Sequence, residues 1–181
     1  MADYWTTHWL TRSAIFAPLR AVGAQLPEIG WPNPELLNAL AEDAGRVVNA
    51  QGQRVRFVVQ ARRPVHFQDG FEPRTFLKGE VQLRPLDWHD LFNALVWITF
   101  PTTKAVINAR HFETLSSGET DGRSPVRDAL TLFDEEGLVV LSSDPRLLEH
   151  VRAFRWKELF WYCREEVKAR MRFLVFGHAL Y

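Results

Sequence analysis

Residues 86–111, LDWHDLFNALVWITFPTTKAVINARH, constrain the fold more than any other stretch of this chain. They read as two consecutive helices, over 88–99 and 101–111, mostly apolar or small and each carrying one narrow polar stripe. At about 100° per residue, His89, Asp90, Asn93 and Trp97 fall within one arc of about 100°. Leu91, Phe92, Leu95, Val96 and Ile98 occupy the rest of the circumference. Phe100-Pro101 interrupts the first helix, because proline has no amide donor and disfavours helical geometry in the residue before it. Pro101 can then open a second helix at its first position. On that helix Lys104, Asn108 and His111 stand four and three residues apart and share a stripe. A buried polar group without a partner costs roughly 1–3 kcal/mol. Each stripe therefore needs the other stripe, a metal or a ligand.

The residue types say what such a pocket can do. His89, Asp90 and His111 offer imidazole and carboxylate donors, a mixture that suits a divalent cation such as zinc, manganese or iron. Lys104 would stabilise an anionic substrate group, and Asn93 and Asn108 would orient it. Residues 128–134 read as a strand, so Asp128, Leu130, Leu132 and Asp134 share one face by the two-residue alternation. Asp128 or Asp134 then supplies a further acid. The expected centre is that of a metal-assisted hydrolase with His89, Asp90, Lys104, His111, Asp128 and Asp134 as catalytic residues. The same residues admit a non-catalytic reading. Asp87 suits an N-cap with Asp90 in a capping box, His89 and Asn93 can bond each other or a carbonyl, and Lys104 and His111 can lie on a solvated face. The protein would then be a binding or interaction module with a buried polar network.

Composition narrows the partners. The 181 residues fit one α+β domain spanning 1–181, and seven Trp and thirteen Phe promise a large aromatic core. Lysine plus arginine equals aspartate plus glutamate, at 22 each, so no net basic charge favours nucleic acid. No run approaches the roughly 20 apolar residues of a membrane span, and the first residues lack the apolar core of a signal peptide. Cys163 is the single cysteine, which excludes an intramolecular disulfide and suits a reducing cytoplasm. On its aromatic helix face it reads as an inert thiol. A small molecule or a protein is the expected partner.

Punctuation residues organise the rest. Asn33 as N-cap and Pro34 at the first position open a helix whose stripe is Leu36, Leu37, Leu40 and Ala44, ended by Gly45. Residues 54–60 read as a strand. Arg54, Arg56, Arg62 and Arg63 around it are read as guarding a sheet edge. Residues 61–85, with three prolines, are expected to be the longest irregular stretch, and 115–125 an exposed loop. Residues 129–142 look like a β-hairpin turning through Glu135-Glu136-Gly137 and sharing a small antiparallel sheet with 54–60. Asp144-Pro145 opens another helix, and Trp156 to about Arg172 shows helical periodicity through Phe160, Cys163, Val167 and Met171. His178, in the apolar tail FLVFGHALY, reads as a satisfied core histidine.

Phosphate-binding glycine loops, a nucleophile elbow, HExxH and paired zinc-ribbon cysteines are all absent. Four blocks carry a resemblance instead: WHDLFNALVW (88–97), FPxxKAxxNARH (100–111), RDALTLFDExG (127–137) and FGHALY (176–181). With these the chain resembles a bacterial domain-of-unknown-function family, number 3025. The resemblance implies no activity. Members of that family continue past the last block, which implies a chain that ends early relative to them.

Overall fold

The computed structural model describes residues 5–60, 65–117 and 125–181. Two short helices, α1 (Trp9–Arg12) and α2 (Arg20–Gly23), flank a 3-10 segment over Ala14–Leu19. Helix α3 (Pro34–Asp43) starts as its sequence dictates, with the Asn33 side chain accepting from the Leu36 amide at 2.9 Å. Asn38, on the same helix, clamps the next strand, β1 (Arg56–Val59), by bonding both the amide and the carbonyl of Phe57. Phe57 is fully buried.

The proline-rich stretch expected to be irregular instead contains α4 (Phe71–Lys78) and β2 (Glu80–Leu83). Pro73 lies in the first turn of α4, where its missing amide costs nothing. Gly79 ends the helix in the left-handed conformation, at φ 68°. The alternation of buried Val81 and Leu83 with Glu80 and Gln82 is that of a strand. β2 pairs with β1 in parallel, Arg56 opposite Glu80 through Val59 opposite Leu83. The antiparallel partnership expected for 54–60 is therefore not formed; with a helix in the connection, the strands run the same way. Arg62 and Arg63 lie outside the described residues.

Helix α5 (Trp88–Thr99) is the centre of the molecule, buried continuously from Asp90 to Ile98. The chain bends at Phe100 and continues as α6 (Pro101–Ser116). Of the loop expected at 115–125, residues 118–124 lie outside the described residues. Helix α7 (Pro125–Glu136) follows and replaces the first arm of the expected hairpin. Leu130 packs on the core and Phe133 stacks on Phe176 at 4.9 Å, whereas Leu132 is exposed. The three-residue step from 130 to 133 thus decides the face, and the apparent alternation of Leu130 and Leu132 does not.

The strand β3 (Leu138–Ser142) is real, but its antiparallel partner is β4 (Met171–Val175), near the end of the chain. Between them lie α8 (Pro145–Arg152), capped by Asp144, a π-helical turn over Glu158–Tyr162, and α9 (Arg164–Arg170). The single helix expected over 156–172 is broken by the π turn and ends at Arg170, with Met171 already in β4. Leu147, Leu159, Val167 and Met171 form a small second core within this excursion. The ladder starts with Leu138 opposite Val175, and the amides of Phe176 and Gly177 both donate to the Gly137 carbonyl at 2.9 and 2.8 Å. The end of α7 and the last residues of the chain are thereby held together. Among the described residues no helix is long and apolar enough to cross a membrane.

Candidate functional site

The N-terminus of α5, the C-terminus of α7 and the closing 3-10 turn (His178–Leu180) meet at one place. The Asp87 side chain caps α5 by accepting from the Asp90 amide at 3.0 Å. Asp90 does not complete a reciprocal capping box. Its carboxylate accepts from the Arg84 amide at 2.7 Å and from the Arg84 guanidinium at 2.9 and 2.7 Å. Locked there, Asp90 faces His89 Nδ1 at 3.1 Å. The other nitrogen of His89, Nε2, lies 3.0 Å from Glu135 Oε2. His178 Nδ1 lies 2.8 Å from the Asp134 carbonyl. A carbonyl only accepts, so Nδ1 carries the hydrogen, and in the neutral ring the Nε2 lone pair is free. That Nε2 is 3.5 Å from Glu135 Oε2. The two imidazole rings stand 4.6 Å apart, steeply inclined to each other. His89, Glu135 and His178 each offer one ligand atom, and the three atoms lie within 4.8 Å of one another.

Charge states follow from the surroundings. Burial, then the nearby Lys104 charge, pushes the His178 ring down to about 4, so it is neutral at neutral pH. Burial also favours neutral His89, but the bonds to Asp90 and Glu135 outweigh it and raise that ring. For Asp90 burial alone would raise the carboxyl, yet the Arg84 side chain and amide bring it below its ordinary value. Glu72, in the first turn of α4, is raised by burial to about 7, although Asn108 donates to its Oε2 at 2.7 Å. Lys104 and Asp134 form a buried ion pair, Nζ meeting both carboxylate oxygens at 2.6 and 2.8 Å.

These groups surround a cavity of about 250 Å³ whose walls include Glu72, His89, Asp90, Asn93, Glu135 and His178. Two buried acceptors, Asn93 Oδ1 and Asn108 Oδ1, have no hydrogen-bond partner among the described residues. Because Asn108 Nδ2 also donates to the Glu72 carbonyl at 3.0 Å, its amide orientation is fixed and its oxygen is the unpaired end. The arrangement brings two imidazoles and a carboxylate into a geometry that could hold a metal ion, beside a carboxyl raised by burial to about 7 and a buried amide oxygen of Asn93 without a partner among the described residues.

Residues 55–181 match the family described as Protein of unknown function (DUF3025). The chain belongs to this family. The DUF3025 span takes in Glu72, His89, Glu135 and His178, and its description supplies no reaction. No curated protein and no solved structure matches the chain significantly.

Of the residues expected to form the site, His89, Asp90, Asn93 and Asp134 line the cavity. Lys104 supports it from behind through Asp134, and Asn108 through Glu72. His111 is buried, and burial lowers its pKa, but it does not line the cavity and, among the described residues, joins no cluster of ligand atoms. Asp128 is exposed in the first turn of α7; helix geometry removes the shared strand face that linked it to Asp134. The ligand set His89, Asp90 and His111 is therefore not assembled: His89 groups with Glu135 and His178, and separately with Asp87 and Asp90. The sequence alone does not single out Glu72, Glu135 or His178 as site residues: Glu135 reads as part of a turn, and Glu72 falls in the stretch expected to be irregular. The FGHALY block held the signal for His178, since a glycine directly before a histidine in an apolar tail marks a close backbone approach.

Proposed function

We propose that the protein is a metal-dependent enzyme, a hydrolase of a small molecule, whose divalent cation is held by His89 Nε2, a Glu135 oxygen and His178 Nε2. One observation carries this reading: the convergence of those three ligand atoms. Four-coordinate zinc with bonds of about 2.0–2.2 Å places neighbouring ligand atoms about 3.4 Å apart. The Glu135 oxygen sits 3.0 and 3.5 Å from the two imidazole nitrogens. The outer contacts support it too. Metal-binding histidines commonly hand their second nitrogen to a carboxylate or carbonyl; Asp90 does this for His89 and the Asp134 carbonyl for His178. His178 already has the neutral form a ligand needs. Zinc, manganese and iron all accept this donor set.

A cation bound there would polarise a substrate carbonyl and lower the pKa of water. The chain's own residues do the rest. Arg84 and Asp90 fix the His89 ring, Gly137 and Gly177 fix Glu135 against His178, and Glu72 can exchange a proton near neutral pH. A reducing cytoplasm, where Cys163 remains a thiol, fits the same reading. A second reading is favoured by one fact: His89 already bonds two carboxylates, as a metal-free polar network would. Thermal melting separates the two. Zinc, manganese or iron(II) is expected to raise the wild-type midpoint and chelator to lower it, with no metal response in His89→Ala. Wild-type protein that melts identically in metal and chelator would leave only the polar network.

A further inference from the structure

The excursion between β3 and β4 carries aromatic rings that its own core leaves out. That core is Leu147, Leu159, Val167 and Met171, whereas Phe154, Trp156, Phe160, Trp161, Tyr162 and Phe173 are all exposed. Two backbone features hold rings outside. Phe154 stands at φ 54°, in the left-handed region that residues other than glycine rarely adopt, and is 75% exposed. In the π turn the Cys163 amide donates to the Glu158 carbonyl at 2.9 Å. Leu159 is fully buried there, and the three aromatics that follow it stay exposed. The rings are also contiguous. Phe154 meets Trp156 at 5.6 Å between centroids, Trp156 stacks on Phe160 at 6.1 Å, and Phe160 meets Phe173 of β4 at 6.2 Å. Continuous exposed apolar surface of this kind marks a place that another body covers.

Charge says which body. From Asp144 to Val175 the sequence has eight lysines and arginines against five aspartates and glutamates, in a chain whose total is balanced. Arg146, Arg152, Lys168 and Arg170 are paired with acids. Among the described residues Arg155, Lys157, Arg164 and Arg172 pair with none, and of the excursion's acids Glu158 and Glu166 are left to oppose them. Lys157 lies over the Tyr162 ring, 5.6 Å from its centroid, so cation and ring share one surface. We infer that this face docks on the anionic surface of a lipid bilayer, its rings entering the headgroup region and its four unpaired cations meeting acidic lipids. Tryptophan and tyrosine suit that depth, with an apolar body and a polar edge, and there apolar contact and the attraction of lysine and arginine add together. A second copy of the chain fits less well, because a two-fold contact sets the same four cations against themselves. Single-stranded nucleic acid needs ring faces open to its bases, and Trp156 and Phe160 cover each other's. The metal centre takes no part in this contact.

The test is sedimentation of the full chain with vesicles of phosphatidylcholine alone or with about 30% phosphatidylserine. Binding to the anionic vesicles is expected to be at least about tenfold tighter than to the neutral ones, and to fall as salt is raised. Trp161→Ala removes a ring that is 71% exposed and lies outside the small core, so its melting should stay as in wild type. It is expected to weaken binding to the anionic vesicles at least about fivefold. Arg155→Gln combined with Arg164→Gln, which leaves every ring in place, is expected to weaken it about tenfold or more. Protein that stays in solution with both vesicles, that binds them equally, or whose binding neither variant changes would overturn the inference. A dimer that Trp161→Ala splits, in protein that leaves anionic vesicles unbound, would overturn it too and give this face to a second copy.

Discussion

At the scale of single residues, Glu72 places an ionisable group where charge is poorly solvated, and its burial raises the carboxyl from 4.5 to about 7. The folded chain therefore keeps a proton that the unfolded chain has released. Its contribution to stability is full below pH 4.5 and is lost as pH rises through about 7. His178 works in the opposite sense: its depressed pKa leaves the folded ring neutral while the unfolded ring charges, so acid removes stability between 6.5 and about 4. The two trends overlap in wild type. Glu72→Gln isolates the first, because glutamine mimics the neutral acid. In metal-free protein, the urea-derived stability of Glu72→Gln relative to wild type is expected to grow by about 3 kcal/mol from pH 4 to pH 8. A difference independent of pH would show that Glu72 ionises normally.

At the scale of elements, the site depends on how closely the chain's end lies against α7. A Cβ at Gly177 would come within 2.5 Å of the Glu135 carbonyl oxygen and the Glu136 amide nitrogen. Its φ of −58° suits any residue, so space, not backbone conformation, demands glycine. Gly177→Ala is expected to cost about 1–3 kcal/mol, the range of overpacking. It should also weaken metal binding, because His178 moves off Glu135 when the turn shifts; calorimetric titration with zinc reads this directly. An unchanged zinc affinity would mean that the turn does not set the spacing.

Legibility also differed by element. The α5–α6 elbow was readable because an apolar arc and a proline act within neighbouring residues, and Asn33-Pro34 and Asp144-Pro145 marked their helix starts for the same reason. Helix α7 was not, since Leu130, Leu132 and Phe133 fit both a two-residue and a three-residue period until Phe176 selects one. Helix α4 was hidden by Pro73, a helix breaker everywhere except the first turn, where it stands.

At the scale of the molecule, the proposed ligands come from residues 89, 135 and 178, on three elements distant in sequence. They are brought together by a closed excursion. β3 and β4 zip at Leu138–Val175 and leave Glu135 and His178 on either side of the base. Only tertiary structure creates the set, which is why sequence spacing pointed to His111, two turns of helix beyond Lys104 on a visible stripe, and away from His178 at the far end of the chain. A site made by folding is also stabilised by whatever binds it. The most direct test is metal stoichiometry. Wild-type protein, His178→Ala and His111→Ala are loaded with zinc, freed of excess and subjected to elemental analysis. The structure leads us to expect about one zinc per chain in wild type and in His111→Ala, and none in His178→Ala. Wild type without zinc, or zinc kept by His178→Ala and lost from His111→Ala, would contradict the centre described above.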